Sequence, residues 1–192
     1  MKLQLMADSS ALRTITLVQK DLLRHFQLVH GLDSPSPTPL RLWLSVFSPR
    51  YLPVLLYRVS HCFFRHRLFV PAKLVSSLNF LIFGVEIAAA CPIGPGLVLP
   101  HTQGTVIGAW RIGANVTIFQ GVTIGARELD FTPSRHSRPT LGDGFTVGAG
   151  SAILGGISLG DSSRVGANSV VLKTIPAGCL AVGSPARIIP GS

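Results

Sequence analysis

Two side chains in the sequence have the chemistry of a proton-transfer pair, His101 and Glu86, fifteen positions apart. A neutral imidazole, with an ordinary pKa of about 6.5, can take a proton from a hydroxyl and return it to a leaving group. A nearby carboxylate can accept the Nδ1 proton and orient the ring. On the residues alone, His101 can equally be a hydrogen-bonded corner histidine, and Glu86 a solvated charge.

The segment that must position this pair has a six-residue period that starts at Ile87. Aliphatic residues recur at thirteen positions with two interruptions, and many are followed directly by glycine: Ile87, Ile93, Leu99, Val106, Ile112, Ile118, Ile124, Leu141, Val147, Ile153, Leu159, Val165 and Val171. The period predicts a parallel β-helix with three short strands in each turn, in which residues eighteen apart stack. Stacked pairs include Val106 with Ile124 and Leu141 with Leu159. Separate strands of a sandwich would not keep one register for so long.

Fifteen residues are nearly one such turn, so the carboxylate of Glu86 is expected on the layer next to His101. The period breaks between Ile124 and Leu141, which predicts that residues 126–140 leave the coil as a loop. Long excursions from a regular scaffold often carry binding residues.

The N-terminal part reads as amphipathic helices. Apolar residues at helical spacing form one stripe in residues 12–26, which Gly31 and the Pro-rich segment 34–39 end. A second stripe comprises Leu55, Val59, Cys62 and Phe63, with Arg58, Arg65 and Arg67 on the other face. We therefore predict a helical subdomain over residues 1–85 and a β-helix domain over residues 86–192.

The net charge and the cysteine content limit the kinds of partner and metal that are expected. The net charge is +9, from 17 Lys and Arg against 8 Asp and Glu, which favours phosphate groups of a cofactor or of lipids. No nucleic-acid-binding motif is present, so nucleic acid is not expected. Three widely spaced cysteines fit neither a disulfide framework nor a zinc site, and no metal is expected. With no signal peptide or membrane span, a cytoplasmic location is predicted, with possible peripheral contact at the inner face of the membrane.

The periodic half resembles the hexapeptide-repeat acyltransferases with a left-handed β-helix, and within them the serine acetyltransferases. The resemblance lies in the segments VEI at 85–87, GPGLVLPH at 94–101, GAGSAILG at 148–155, GANSVV at 166–171 and GSPARI at 183–188. It implies acetyl-CoA as co-substrate, His101 as the catalytic base and Glu86 in the place of an orienting Asp. Pro100 departs from the family, which commonly has an acidic residue before its histidine.

The resemblance also assigns binding residues. In the family an Arg-His pair before a proline in the ejected loop helps to hold the amino-acid substrate. Here the acceptor-binding residues are predicted to be Arg135, His136 and Arg138, although the Arg135-His136 pair lies two residues early relative to Pro139. Acetyl-CoA is expected against small residues and two basic ones: Gly148, Ala149, Gly166, Ala167, Lys173 and Arg187. Lys173 and Arg187 can equally be basic residues that coat the last coils.

Family members are trimers with active sites between subunits, so a homotrimer is expected, or a dimer of trimers. The displaced Arg-His pair, the short helical part and the end at Ser192 favour a sugar hydroxyl of a polysaccharide or glycolipid as acceptor. L-Serine, in cysteine biosynthesis, is the alternative acceptor. A non-catalytic trimeric scaffold is the third interpretation. The basic residues from Arg41 to Lys73 would also suit an anionic membrane surface.

Overall fold

The structure, a computed structural model, describes residues 2–31, 37–130 and 132–191; for residues 2–11 and Trp43 it describes the backbone. The helices are α1 (Lys2–His30), α2 (Pro39–Val46), α3 (Leu52–Arg65) and α4 (Phe69–Phe83). Gly31 follows α1 with a φ of 96°, and Gly84 ends α4 with a φ of 64°. Residues 34–36 of the predicted helix-ending segment lie outside the described residues. No helix in the described ranges is long and apolar enough to cross a membrane.

The described residues after α4 form thirteen short strands, all but the last in parallel ladders: β1 (Val85–Ile87), β2 (Thr105–Ile107), β3 (Arg111–Ile112), β4 (Thr117–Ile118), β5 (Thr123–Gly125), β6 (Thr140–Leu141), β7 (Thr146–Val147), β8 (Ala152–Leu154), β9 (Ser158–Leu159), β10 (Arg164–Val165), β11 (Val170–Val171), β12 (Leu180–Gly183) and β13 (Ala186–Ile189). They form three faces of a prism. Face 1 is β1-β2-β5-β8-β11, face 2 is β3-β6-β9, and face 3 is β4-β7-β10-β12 with β13 antiparallel at its edge. The mainly β, left-handed parallel β-helix with N-terminal helices is confirmed.

The prism interior is filled by the predicted aliphatic positions, and Leu141 stacks on Leu159 as expected. The prediction for Val106 was wrong. Val106 is 37% exposed on the outer surface of β2, whereas Ile107 is 1% exposed and stacks on Ile124, seventeen residues later. The reason is the long corner after Leu99. It returns the chain to face 1 one residue out of step, so that Ile107 points inward in place of Val106. That corner carries His101.

The helices meet the first coil through a buried ion pair. Arg58 of α3 donates to Asp21 of α1 at 2.7 Å and to the carbonyls of Ile93 and Gly94, each at 2.6 Å. Asp21 also accepts hydrogen bonds from the backbone N–H groups of Gly96 and Leu97. Arg58, which the sequence places with Arg65 and Arg67 on or near the polar face of this helix, is therefore buried instead, because the ion pair and two carbonyls satisfy its charge in the interior.

The apolar stripe predicted in α1 is buried only in part. Leu22 and Phe26 are buried, whereas Leu12, Ile15 and Leu23 are exposed. The buried positions among the described side chains of α1 are Asp21, Leu22, His25 and Phe26, so the predicted stripe extends beyond the surface that is covered. The division of the chain into two domains at residue 85 stays a prediction.

Candidate active site

His101 lies on the long corner between faces 3 and 1. The corner follows Leu99, which is fully buried, and it is fixed to the end of α4: Thr102 donates from Oγ1 to the Phe83 carbonyl at 2.8 Å, and the Gly104 N–H donates to the Gly84 carbonyl at 2.9 Å. The His101 side chain is exposed. The anchored backbone thus presents the imidazole on the outer surface, where the hydroxyl of a bound substrate can come within hydrogen-bond reach of it, as a general base requires.

Glu86 lies in the middle of β1 with its side chain on the outer surface of face 1, in register with Val106. The first turn of the helix is twenty residues long, since Val85 pairs with Thr105. The predicted spacing of nearly one turn was therefore too short. His101 lies at the corner before face 1 rather than in register with Glu86. Within the described residues no hydrogen bond or ion pair joins the two side chains, so their pairing stays a prediction.

The small residues predicted for the cofactor form one column on the same edge as His101. Gly148 and Ala149 lie directly beside Gly166 and Ala167, because the Gly148 N–H donates to the Val165 carbonyl at 2.8 Å. A Cβ at position 148 would lie 2.6 Å from the Ala167 nitrogen, so this column is packed backbone against backbone. Gly148 thus lets adjacent coils pack closely at the edge between faces 3 and 1.

A cavity of about 640 Å³ lies between the C-terminal hairpin of β12 and β13 and the two residues that follow β11, Leu172 and Lys173. Its walls include Lys173 and Arg187, which are both exposed. The hairpin is joined to the column by the Gly183 N–H, which donates to Ser169 Oγ at 3.1 Å. The structure therefore brings the two basic residues predicted for cofactor phosphates into one cavity.

The loop between β5 and β6 is held at both ends by arginines. Arg127 donates to the carbonyls of Leu154 and Leu172 at its start. Arg138 donates to Asp130 at 2.9 Å and to the Gly108 carbonyl at 3.1 Å near its end. The hydrogen bond from Arg138, followed by one from a serine of the loop, lowers the pKa of Asp130.

The predicted acceptor residues are divided by this arrangement. His136 lines a cavity of about 420 Å³ together with Arg127, Gly155 and Gly156. Arg138 lines a different cavity of about 280 Å³, beside Trp110. Arg135 is exposed on the loop between them. Because Arg138 holds the loop through Asp130, its geometry suits positioning of the loop better than direct contact with an acceptor.

Comparison with known proteins identifies the family. Serine acetyltransferase of Helicobacter pylori (strain ATCC 700392 / 26695) is 44% identical over 137 residues, which cover 71% of this chain and 78% of the relative. The crystal structure of Neisseria gonorrhoeae serine acetyltransferase aligns with a TM-score of 0.81 at 27% identity, over 97% of this chain and 69% of that one. The chain belongs to the serine acetyltransferase family. As a member it is an acyltransferase, which confirms the predicted enzyme class.

A serine acetyltransferase solved in complex with CoA has the same fold, with a TM-score of 0.76 at 28% identity over 96% of this chain and 72% of that one. No family model matches the chain. Within the serine acetyltransferase fold, sequence reasoning missed the anchoring roles of Arg127 and Asp130. The signal available was that the loop begins and ends with an arginine next to a strand, with a carboxylate between them.

Proposed function

We propose that this chain is an L-serine O-acetyltransferase that uses acetyl-CoA. The observation that carries the proposal is the 44% identity to a serine acetyltransferase over 78% of that relative. The sugar acceptor favoured by the sequence has no support among the relatives, which are named for serine. L-Serine, the alternative acceptor, fits them. A non-catalytic scaffold is disfavoured by membership of an enzyme family.

The edge between faces 3 and 1 supports a path for the co-substrate. His101 lies at its N-terminal end, the small residues Gly148 and Gly166 lie along it, and the C-terminal hairpin beside its last coil carries Arg187. Lys173 faces Arg187 across one cavity from the corner between faces 1 and 2. Coils of a β-helix are about 4.8 Å apart, so three coil steps from His101 to Gly166 span roughly 14 Å. An extended pantetheine arm can follow such an edge with its thioester at His101 and its phosphates at the two basic side chains.

In this arrangement His101 removes the proton of the serine hydroxyl as the oxygen attacks the thioester carbonyl. The new ester bond forms, the carbon–sulfur bond breaks, and the imidazolium returns the proton to the CoA sulfur. Glu86 is proposed to orient the imidazole once a substrate closes the site, in the role of the family's Asp. Acetyl-CoA supplies the acyl group; the protein supplies proton transfer and positioning.

A homotrimer is proposed as the active assembly. In a single chain the loop residues Arg135 and His136 lie on the corner between faces 1 and 2, whereas His101 lies on the opposite edge of face 1. A neighbouring chain packed against face 1 would bring its loop to His101. A cytoplasmic location with peripheral membrane contact through the basic helices is part of the same proposal.

Thiol release from acetyl-CoA tests the function. Purified chain is supplied with L-serine, a set of monosaccharides and a glycolipid extract, and the product is identified by mass spectrometry. We expect CoA release with L-serine and formation of O-acetylserine. Release with a sugar and none with L-serine would overturn the proposal, as would failure to release CoA with any acceptor.

Lys173→Ala tests the cofactor path separately. We expect a raised KM for acetyl-CoA with kcat close to that of the wild type, because the phosphates lie far from the reacting bond. Arg164→Ala, an exposed arginine on the outer surface of β10, is the matched control. An unchanged KM in Lys173→Ala would remove this residue from the cofactor site.

A further inference from the structure

Helix α4 buries its small and polar residues and exposes its aliphatic ones. The side that packs on α3 consists of small and polar residues: Ala72 and Asn79 are buried, Ser76 hydrogen-bonds to Ser60 Oγ at 2.8 Å, and Asn79 donates to the Pro53 carbonyl at 3.0 Å. At 100° for each residue these positions share one side of the helix. The aliphatic residues of α4 are therefore left for the opposite side.

That opposite side is exposed. Val70, Leu74 and Leu81 lie across the helix from Ala72, and Leu78 lies beside them at the margin of that side. Their exposed fractions are 72%, 66% and 78%, and that of Leu78 is 46%. We call these four residues the outer face of α4. Helix α2 and the residue that caps its C-terminus have a similar row, since Leu40, Leu44 and Phe47 recur at i, i+4 and i+7 and are 64–70% exposed. Contiguous exposed apolar side chains of this kind mark a surface that binds a partner.

The charges around the outer face are of one sign. Residues 37–85 contain no Asp or Glu and six Lys or Arg, of which Arg58 alone is buried. Arg65 is exposed at the end of α3, Arg67 is exposed in the turn before α4, and Lys73 is exposed on α4 itself. A partner must therefore offer an apolar surface together with negative charge.

An anionic lipid surface meets both requirements, and a two-fold contact of this face with itself does not. In a two-fold contact the same patch meets itself, so the basic residues would face one another with no carboxylate in residues 37–85 to pair with them. At a membrane surface, aliphatic side chains enter the boundary of headgroups and acyl chains while basic side chains remain at the phosphates. The helix is too short to span the bilayer, which is consistent with a helix that lies on it.

We propose that the outer face of α4, with its basic rim of Arg65, Arg67 and Lys73, docks this chain on an anionic membrane surface. The inference gives a specific surface to the peripheral contact proposed above, and it does not depend on the identity of the acceptor. Gly84 joins α4 directly to β1, so docking takes place at the N-terminal end of the β-helix. The basic cavity with Lys173 and Arg187 lies at the opposite end and stays open to soluble substrates.

Co-sedimentation of the full chain with vesicles tests the proposal, using phosphatidylcholine alone and phosphatidylcholine mixed with phosphatidylglycerol. We expect binding to the mixed vesicles, weakened by salt, and little binding to the neutral ones. The triple variant Val70→Ser, Leu74→Ser, Leu81→Ser should bind at least tenfold more weakly, whereas Leu129→Ser, which changes a residue 88% exposed on the loop, should bind as the wild type does. Arg65→Glu with Lys73→Glu should also weaken binding, and Arg164→Glu is the matched charge control.

Equal vesicle binding by the triple variant and the wild type would overturn the proposal, and so would absence of binding by the wild type. A loss of oligomeric mass in the triple variant, measured by light scattering without vesicles, would assign the outer face to a second copy instead. Circular dichroism melts of each variant confirm that the chain is folded. CoA release without vesicles should be unchanged by the triple substitution, so failure of membrane docking and failure of the acetyltransferase proposal give different results.

Discussion

His101 is an exposed side chain on a backbone that the rest of the fold holds in place. Its neighbour Thr102 is buried and hydrogen-bonded to the end of α4, and Leu99 before it fills the prism. Removing the imidazole therefore leaves the packing of the corner intact. An effect of substitution at His101 on turnover can be read as an effect on chemistry.

We expect His101→Ala to lower kcat by about 100-fold to 10,000-fold, the usual contribution of a positioned general base. The melting temperature should stay within the error of the wild type. Steady-state CoA release with L-serine measures the first quantity and circular dichroism the second. His66→Ala, an exposed histidine just after α3, serves as the control and should keep full activity. A folded His101→Ala variant with unchanged kcat would exclude this residue as the base.

Residue type and spacing were enough to select His101 and Glu86 as candidates, but not to predict their relative position in the coil. The extra length of the corner after Leu99 cannot be seen in the period alone, because the next aliphatic residue, Val106, is as apolar as the true interior residue Ile107. The burial of Arg58 could not be predicted for a similar reason. Its partner Asp21 lies 37 residues away in sequence, and periodicity carries no information on such distant ion pairs.

The β-helix itself is controlled by its corners. Left-handed backbone recurs in two columns, one at Gly96, Asn115, Gly144, Ser162 and Gly178 and the other at Gly104, Gly121, Gly150 and Asn168. Other corner glycines, such as Gly113 and Gly142, have ordinary φ and are needed because the next coil lies against them. Glycine after an aliphatic residue was visible in the sequence and predicted the coil. Which of the two reasons applies at each glycine required the structure.

Gly113→Ala and Gly125→Ala separate these effects. A Cβ at Gly113 would lie 2.6 Å from the carbonyl carbon of Gly142, whereas a Cβ at Gly125 would meet nothing within 4 Å. We expect Gly113→Ala to lower the free energy of unfolding by about 1–3 kcal/mol through overpacking. Gly125→Ala should be close to neutral. Urea denaturation of both variants makes the comparison, and equal stabilities would contradict close packing of the coils at this corner.

The helices and the β-helix are tied into one body by the Asp21–Arg58 pair, which also satisfies backbone groups of the first coil. Both side chains are almost fully buried, at 0% and 1% exposed. Breaking a buried pair leaves an uncompensated charge, so we expect Arg58→Met to lower the free energy of unfolding by about 3–5 kcal/mol. Arg65→Met, at an exposed position of the same helix, should change it by less than about 0.5 kcal/mol. Urea denaturation is the measurement, and an equal effect of the two substitutions would show that the pair does not hold the helices to the coil.

Two histidines of the helical part, His25 and His61, make the stability of the fold depend on pH in the acid range. Burial lowers the pKa of His25, and the nearby charges of Arg50 and His30 lower it further. Burial also lowers the pKa of His61, partly opposed by the hydrogen bond between its Nδ1 and the Ala89 carbonyl. The unfolded chain, with histidine pKa values of about 6.5, then binds more protons than the folded chain. The stabilisation is complete above the unfolded pKa and is lost as the pH falls through the lowered folded values.

We therefore expect the melting temperature to fall between about pH 8 and pH 5. The double variant His25→Gln, His61→Gln should show a flatter dependence of the melting temperature on pH, because it lacks both titrating imidazoles. Asp130, whose pKa is also lowered, titrates below this window and does not contribute. A melting temperature that rises towards pH 5, or an equally steep fall in the double variant, would show that these histidines are not the groups that control it.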